Sequence, residues 1–325
     1  MTEELKDDRG LQLSPIERAI VARLQDDGRA PMTQIAEEIG VDESTVRRTI
    51  RKLVDTGVIA ITAVANPRLL GLEAMSWVAL EVEPAEVERL PSRMLELSGV
   101  DYVATVDGRF QILGEIAAQD LAQLSERLRA IRSLPGVRRT ETWVILDLFQ
   151  QEYRWHIDPG VPAGAINDLR LTDLDRKLIL ALRADGRGAF RQIAAGLGVT
   201  ERRVRALYAK LTGTGVVRVM AVLNPERVGL GVMACLGIQV RPGAPTRDVA
   251  LAIAKIRRVD YVVICTGRYD ILAEVACADQ TELLELAGRE LGSIPEITSA
   301  EVFGYLRLRY SDESVWSVGR TSALQ

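Results

Sequence analysis

"LSPIERAIVARLQDDGRAPMTQIAEEIGV", residues 13–41, returns without a gap as "LTDLDRKLILALRADGRGAFRQIAAGLGV", residues 171–199. The match runs on through "KLVDTGVIAITAVANPRLLGLEAM" (52–75) and "KLTGTGVVRVMAVLNPERVGLGVM" (210–233), with about two in five positions identical, far above chance at a fixed offset. After one or two single-residue slips, "VDYVATVDGRFQIL" (100–113) lies on "VDYVVICTGRYDIL" (259–272), and "SLPGVRR" (133–139) on "SIPEITS" (293–299). The chain is one unit written twice. Between the copies, "DPGVPAGAIND" (158–168) has the Pro, Gly and Ala content of a linker.

Each unit begins with helices. Ser14, Pro15 and Glu17 supply a cap, an N1 proline and an N3 acid ahead of Ile16, Ile20, Val21 and Leu24, which are spaced for one helix face. Thr172 caps the counterpart, with Leu174, Leu178, Ile179 and Leu182 as its face. A second short helix ends at Gly40 or Gly198, and a third opens at Asp42 or Thr200 and closes near Gly57 or Gly215, which predicts a helix-turn-helix.

The second part of each unit alternates differently. "MSWVALEV" is strand-like, 85–98 helical on Val87, Leu90, Met94 and Leu97, and "DYVATV" and "FQILGEIA" flank a turn at Gly108-Arg109. A helix from Asp120 to Arg132 and a strand from Val137 to Phe149 complete βαββαβ, the ferredoxin-like order. It recurs at 232–241, 246–257, 260–266, 269–277, 279–291 and 297–309. The expected layout is a tail at 1–12, a winged-type helix-turn-helix at 13–65, a ferredoxin-like domain at 66–152, a linker at 153–170, a second helix-turn-helix at 171–223, a second ferredoxin-like domain at 224–310, and a tail at 311–325. The fold class is α+β.

Composition narrows the function. A 325-residue chain that is 47% hydrophobic and 26% charged is of ordinary globular type, and it is long enough for several domains. No apolar run reaches the ~20 residues of a membrane span, and Met1–Gly10 is polar, so a cytoplasmic location without membrane partners is expected. Cys235, Cys265 and Cys277 stand in apolar stretches without CxxC spacing and read as buried small hydrophobes. The sequence has no Gly-rich phosphate loop, Ser-His-Asp order or metal-ligand cluster, so neither cofactor, metal nor catalytic residue is expected. His156 beside the linker reads as a surface or interdomain contact, Glu115 and Glu274 as strand-surface or pairing carboxylates, and Trp77, Trp143, Trp155 and Trp316 as core or interface aromatics. A net charge of −4 confines any nucleic-acid affinity to a local patch.

That patch is expected on the third helices. In "DESTVRRTIRKL", Val46, Ile50 and Leu53 must face inward, which turns Ser44, Thr45, Arg47, Arg48 and Arg51 to solvent. Arg can fork onto guanine edges while hydroxyls anchor phosphates; a merely solvated charged helix is the alternative. In "TERRVRALYAKL", Val204, Leu207 and Leu211 point inward and Arg202, Arg203, Arg205 and Lys210 outward. Positive charge persists there without the hydroxyls, so the expectation is phosphate affinity from both helices with different sequence preferences, or a structural role for the second.

The run from Glu17 to Gly71, followed by βαββαβ with a Gly-Arg-aromatic turn, resembles the Lrp/AsnC, or feast/famine, transcriptional regulators, almost over the whole chain and twice. The motifs "DGR", "IA...GV", "L...GVI" and "NP...G" in that order carry the resemblance. It implies a regulator of double-stranded DNA whose ferredoxin-like, AsnC-type ligand-binding domains pair. On that resemblance this chain looks like a dimer fused into one polypeptide, and homo-oligomers of it, dimers or higher, are expected. It also implies a small-molecule effector, commonly an amino acid, at the turn where Gly267, Arg268, Tyr269 and Asp270 stand opposite Gly108 and Gln111. Asp270 could accept from an ammonium group and Gln111 lacks the charge; alternatively Asp270 caps its own hairpin. A group of sirohaem decarboxylases resembles the same layout, so an enzyme is one rival reading, and a ligand sensor that has lost DNA binding is another.

Overall fold

A computed structural model describes residues 13–65, 67–151, 171–215, 217–224 and 231–310. The expected tails, the expected linker, Trp155, His156 and Trp316 lie outside the described residues.

Local chemistry sets the helices. Ser14 Oγ accepts from the Glu17 amide (3.2 Å) and Glu17 returns to the Ser14 amide (2.8 Å), a capping box that starts α1 (Pro15–Asp26). Thr172 and Asp175 repeat it on α6 (Asp173–Ala184). The short helices α2 (Met32–Ile39) and α7 (Phe190–Leu197) stop at Gly40 and Gly198, whose φ of 77° and 67° favours glycine. α3 (Glu43–Asp55) and α8 (Glu201–Gly213) follow, buried on Val46, Ile50 and Leu53 and on Val204, Leu207 and Leu211.

The wing is shared between the units. β1 (Ile59–Ala65) and β6 (Val217–Leu223) pair antiparallel with each other, from Ile59 opposite Leu223 to Ala65 opposite Val217. The strand of each unit serves the helices of the other: Ala221 and Leu223 join Ile20, Leu24, Ile35 and Leu53, while Ala63 joins Leu178, Leu182 and Leu211. Gly28 and Gly186 permit this approach. Their amides donate to Val219 O (2.7 Å) and Ile61 O (2.9 Å), and a Cβ on either would lie 2.8 Å from the Met220 nitrogen or 2.6 Å from the Ile61 oxygen.

The remaining strands close into one barrel, in the order β10-β3-β4-β2-β5-β8-β9-β7. The first half gives β2 (Ala74–Val82), β3 (Val100–Val106), β4 (Ile112–Ala118) and β5 (Val137–Gln151); the second gives β7 (Val232–Val240), β8 (Val259–Cys265), β9 (Ile271–Cys277) and β10 (Ile297–Tyr310). Each half has ferredoxin-like strand order. Closure comes from the long fourth strands: β5 pairs with β2 up to Val144 and then with β8 from Ile145, and β10 runs from β7 to β3 in the same way. Alternate residues face in or out, so Trp77, Phe110, Trp143, Tyr269 and Phe303 fill the interior, while Val78, Leu80 and Val82 meet α4 (Leu90–Leu95) and α5 (Leu121–Arg132). On the second half, α9 (Thr246–Ala254) and α10 (Gln280–Glu285) take those places.

Two expected helices are shorter than their patterns suggest. Across 85–98 the chain makes a tight turn at Pro84–Glu86 and only then α4, because Pro91 lacks an N–H and its ring would clash with a helical carbonyl four residues back. Across 279–291, α10 gives way to a wide π turn at Leu286–Glu290. The interval from Asp279 to Pro295 is one residue longer than that from Asp120 to Pro135, and an extra residue in a helix is absorbed in this way.

Candidate nucleic-acid interface and effector turns

Arg47, Arg48 and Arg51 on α3, and Arg202, Arg203 and Arg205 on α8, are all exposed. Two of these guanidiniums are held by their own helix: Arg47 pairs with Glu43, and the equivalent Arg205 donates twice to Glu201 Oε1 (2.9 and 2.6 Å). Arg48, Arg51, Arg202 and Arg203 have no ion pair among the described residues. The hydroxyls sit differently from the expectation of phosphate anchors. Ser44 and Thr45 both donate to the N-cap carboxylate of Asp42 (2.5 and 2.7 Å), and the Thr45 amide adds a third bond at 2.8 Å. Hydrogen bonds from Ser44 and then Thr45 hold Asp42 well below the usual carboxylate range, so this tip stays negative.

Behind the recognition helices lies a contact that sequence reasoning missed. Arg29 reaches into the second unit and donates to Gly186 O (2.6 Å) and Gly188 O (2.9 Å), while Arg187 reaches back to Gly28 O (2.8 Å) and Ala30 O (3.0 Å). The "DGR" shared by 27–29 and 185–187 is therefore a reciprocal clasp between the helix-turn-helix units, and its verbatim repetition at equivalent places was the available signal. The clasp is not symmetric. Arg29 lies 4.1 Å above the Phe190 ring and 5.6 Å from that of Tyr208 on α8, where the first unit has Met32 and Ile50.

The paired turns at the barrel rim answer to one another in a simple way. Asp270 Oδ2 accepts from the Val240 amide at 2.7 Å, and Gln111 Oε1 accepts from the Val82 amide at 3.0 Å. Both side chains cap the neighbouring strand, and the Gln111 Nε2 also donates to Arg109 O of its own turn (3.4 Å). Of the other expected effector residues, Arg268 pairs with Glu141 at 2.8 Å and Tyr269 lies inside the barrel with its hydroxyl on Glu301 at 2.5 Å. Gly108 and Gly267 are exposed. A cleft of about 620 Å³ opens beside Gln111, lined by Glu81, Val82, Pro84, Val87, Glu88, Arg109 and Arg138.

Glu115 and Glu274 do not sit on a strand surface; they meet inside the barrel. Tyr102 and Tyr305 donate to Glu274 Oε1 (2.9 and 2.5 Å), and Tyr261 bonds Glu115, so the equivalent Tyr102 and Tyr261 each serve the Glu of the other half while Tyr305 serves that of its own. Burial pushes Glu274 up to about 7 against the pull of the two phenols, and burial, then Asp101 and Glu274, raises Glu115. The three cysteines are free and buried, as expected.

Comparison with known proteins agrees with this architecture. The winged helix-turn-helix DNA-binding profile matches residues 13–60, the C-terminal dimeric alpha+beta barrel domain matches 75–158, and the Lrp/AsnC ligand binding domain matches 233–314. An uncharacterized HTH-type transcriptional regulator of Pyrococcus abyssi is 34% identical over 147 residues, which is 93% of that protein and 45% of this chain. LrpA of Mycobacterium tuberculosis is 29% identical over 147 residues, 97% of its length and 45% of this chain. These relatives are each matched by less than half of the present molecule. In structure, the sirohaem decarboxylase NirDL, solved with an iron-uroporphyrin III analogue, superposes with a TM-score of 0.60 over 95% of this chain and all of its own, at 20% identity, which speaks to fold alone. Among the described residues no helix is long and apolar enough to cross a membrane.

Proposed function

The chain belongs to the Lrp/AsnC family of HTH-type transcriptional regulators, and from that premise we propose that it binds double-stranded DNA through both recognition helices under control of a small amino-acid-like effector. One observation carries the DNA reading: four guanidiniums, Arg48, Arg51, Arg202 and Arg203, stand exposed, with no ion pair among the described residues, on two helices clasped into one platform. Lys and Arg charge placed against phosphates releases counterions, so affinity should fall with salt by about one log-log step per phosphate met. Selection of bound fragments from genomic DNA tests the reading. Enrichment of one sequence, lost when Arg47, Arg48 and Arg51 become Ala together, supports it; unchanged binding by that variant favours a sensor that does not use DNA.

The effector reading rests on the match of 233–314 to a ligand-binding domain and on the two rim turns. Asp270 spends Oδ2 on its strand cap, and Oδ1 has no partner among the described residues, which suits an ammonium donor. The cleft beside Gln111 is lined by charges of both signs: Arg109 has no ion pair among the described residues, while Arg138, Glu81 and Glu88 pair with Glu83, Arg139 and Arg307, so a zwitterion would bind there through Arg109 and by exchanging those pairs. Calorimetry across the amino acids on the wild type, Asp270→Ala and Arg109→Ala separates the two; equal binding by all three removes both. Effector binding would act by shifting how chains assemble, and Leu146 and Leu306, 53% and 69% exposed on β5 and β10, are the apolar residues expected at chain-to-chain contacts. The decarboxylase reading is the weaker alternative. Titration with sirohaem should leave its absorption spectrum unchanged.

A further inference from the structure

The two recognition helices are not interchangeable. Reading α3 against α8 in register, Ser44 answers to Arg202, Thr45 to Arg203, Arg48 to Ala206 and Arg51 to Ala209. Arg47 and Arg205 occupy the same place and are both drawn back onto a glutamate of their own helix. The cations left for a partner therefore lie on the second and third turns of α3 but on the first turn of α8. Their centres differ by about five residues, or ~7 Å along a helix at 1.5 Å per residue, roughly two base-pair steps.

The tips also differ in sign. Asp42 and Glu43 make the start of α3 acidic, and the Asp42 carboxylate is fixed there by Ser44 and Thr45. Thr200 caps α8 without charge, and Arg202 and Arg203 outweigh Glu201. Because the N-terminal residues of a recognition helix meet base edges, α8 brings guanidinium forks to guanine, whereas α3 must present its arginines further along the groove. The clasp of Arg29 and Arg187 ties the two readers into one body, and its aromatic seat under α8 has no counterpart under α3.

We propose that a single chain reads a non-palindromic operator in one orientation, with Arg202 and Arg203 contacting one half-site and Arg48 and Arg51 contacting a different word in the other. This rests on the DNA-binding reading above. The test starts from the site enriched by the intact chain. Two derivatives duplicate its left or its right half-site, and methylation interference is mapped for the wild type, Arg48→Ala with Arg51→Ala, and Arg202→Ala with Arg203→Ala. Circular dichroism confirms folding, which these exposed positions should not disturb. The expected result is binding weaker by roughly tenfold or more on both symmetrised sites, with each double variant losing guanine contacts in only one half-site. Equal or tighter binding to a symmetrised site, or loss of the same word in both arms by both variants, overturns the proposal while leaving DNA binding intact. Failure to enrich any sequence overturns both together.

Discussion

Replacing Glu274 by Gln tests whether burial governs the charge at the barrel centre. Glu274 receives two phenolic hydrogen bonds that favour its ionised form, yet its affinity for a proton rises from the ordinary 4.5 to about 7, so desolvation outweighs them. The folded state then holds the proton more tightly than the unfolded chain. Its contribution to stability is complete below pH 4.5 and is lost as pH climbs through 7. The interval corresponds to about 3 kcal/mol in all, of which about 2 kcal/mol falls between pH 5.5 and 8.5. Glutamine keeps an acceptor for Tyr102 and Tyr305 and cannot ionise. Urea unfolding followed by the fluorescence of Trp77 and Trp143, both inside the barrel, should find the variant more stable than wild type by about 1 kcal/mol at pH 5.5 and by about 3 kcal/mol at pH 8.5. A difference between the two proteins that does not change with pH would refute the reasoning.

Loss of the clasp should be felt unequally: Arg29→Ala removes two charged hydrogen bonds and a ring contact and should cost about 2 to 4 kcal/mol in thermal unfolding, more than Arg187→Ala, which gives up only the hydrogen bonds. Equal losses would remove the case for asymmetry beneath α8. Gly28→Ala and Gly186→Ala place a methyl against backbone of the shared wing and should each destabilise by about 1 to 3 kcal/mol, measured by denaturant midpoint. Gly237→Ala should cost a similar ~1 to 3 kcal/mol, since its methyl would sit 2.7 Å from a Tyr269 ring already fenced by Trp143 and Phe303. At the rim, Asp270→Asn keeps an acceptor for the Val240 amide and should leave stability within ~0.5 kcal/mol, whereas Asp270→Ala should lose about 1 to 2 kcal/mol; equal loss in both would show that charge matters there.

The helices were legible because their signals are local. Ser14 with Glu17, Thr172 with Asp175, and the inward sets on α3 and α8 depend only on neighbours a turn away, and the repeat allowed each reading to be checked against its copy. Barrel closure was not legible: β5 carries no mark at Ile145 where its partner changes from β2 to β8, because period-two alternation says which face is buried and not by whom. The Arg29 and Arg187 contacts were hidden for the same reason, their partners lying a whole unit away. At Gln111 and Asp270 the change of charge was plain in the sequence, but not that either side chain supplies one oxygen to one strand amide. For Ser44 and Thr45, the helix pattern correctly put them on the outside but could not show that Asp42 would engage their hydroxyls first.

The exchange of β1 and β6 beneath opposite helices, together with barrel closure, changes how the molecule responds to dilution. Separate subunits joined through such a seam come apart by mass action once their concentration falls below the dissociation constant. In this chain the same seam forms within one molecule, so its formation is first order and the paired readers persist at the scarce copy numbers at which genomic sites are filled. Contacts between whole chains would remain sensitive to abundance, and on the proposed function an effector would modulate that higher assembly without dissolving the reading head.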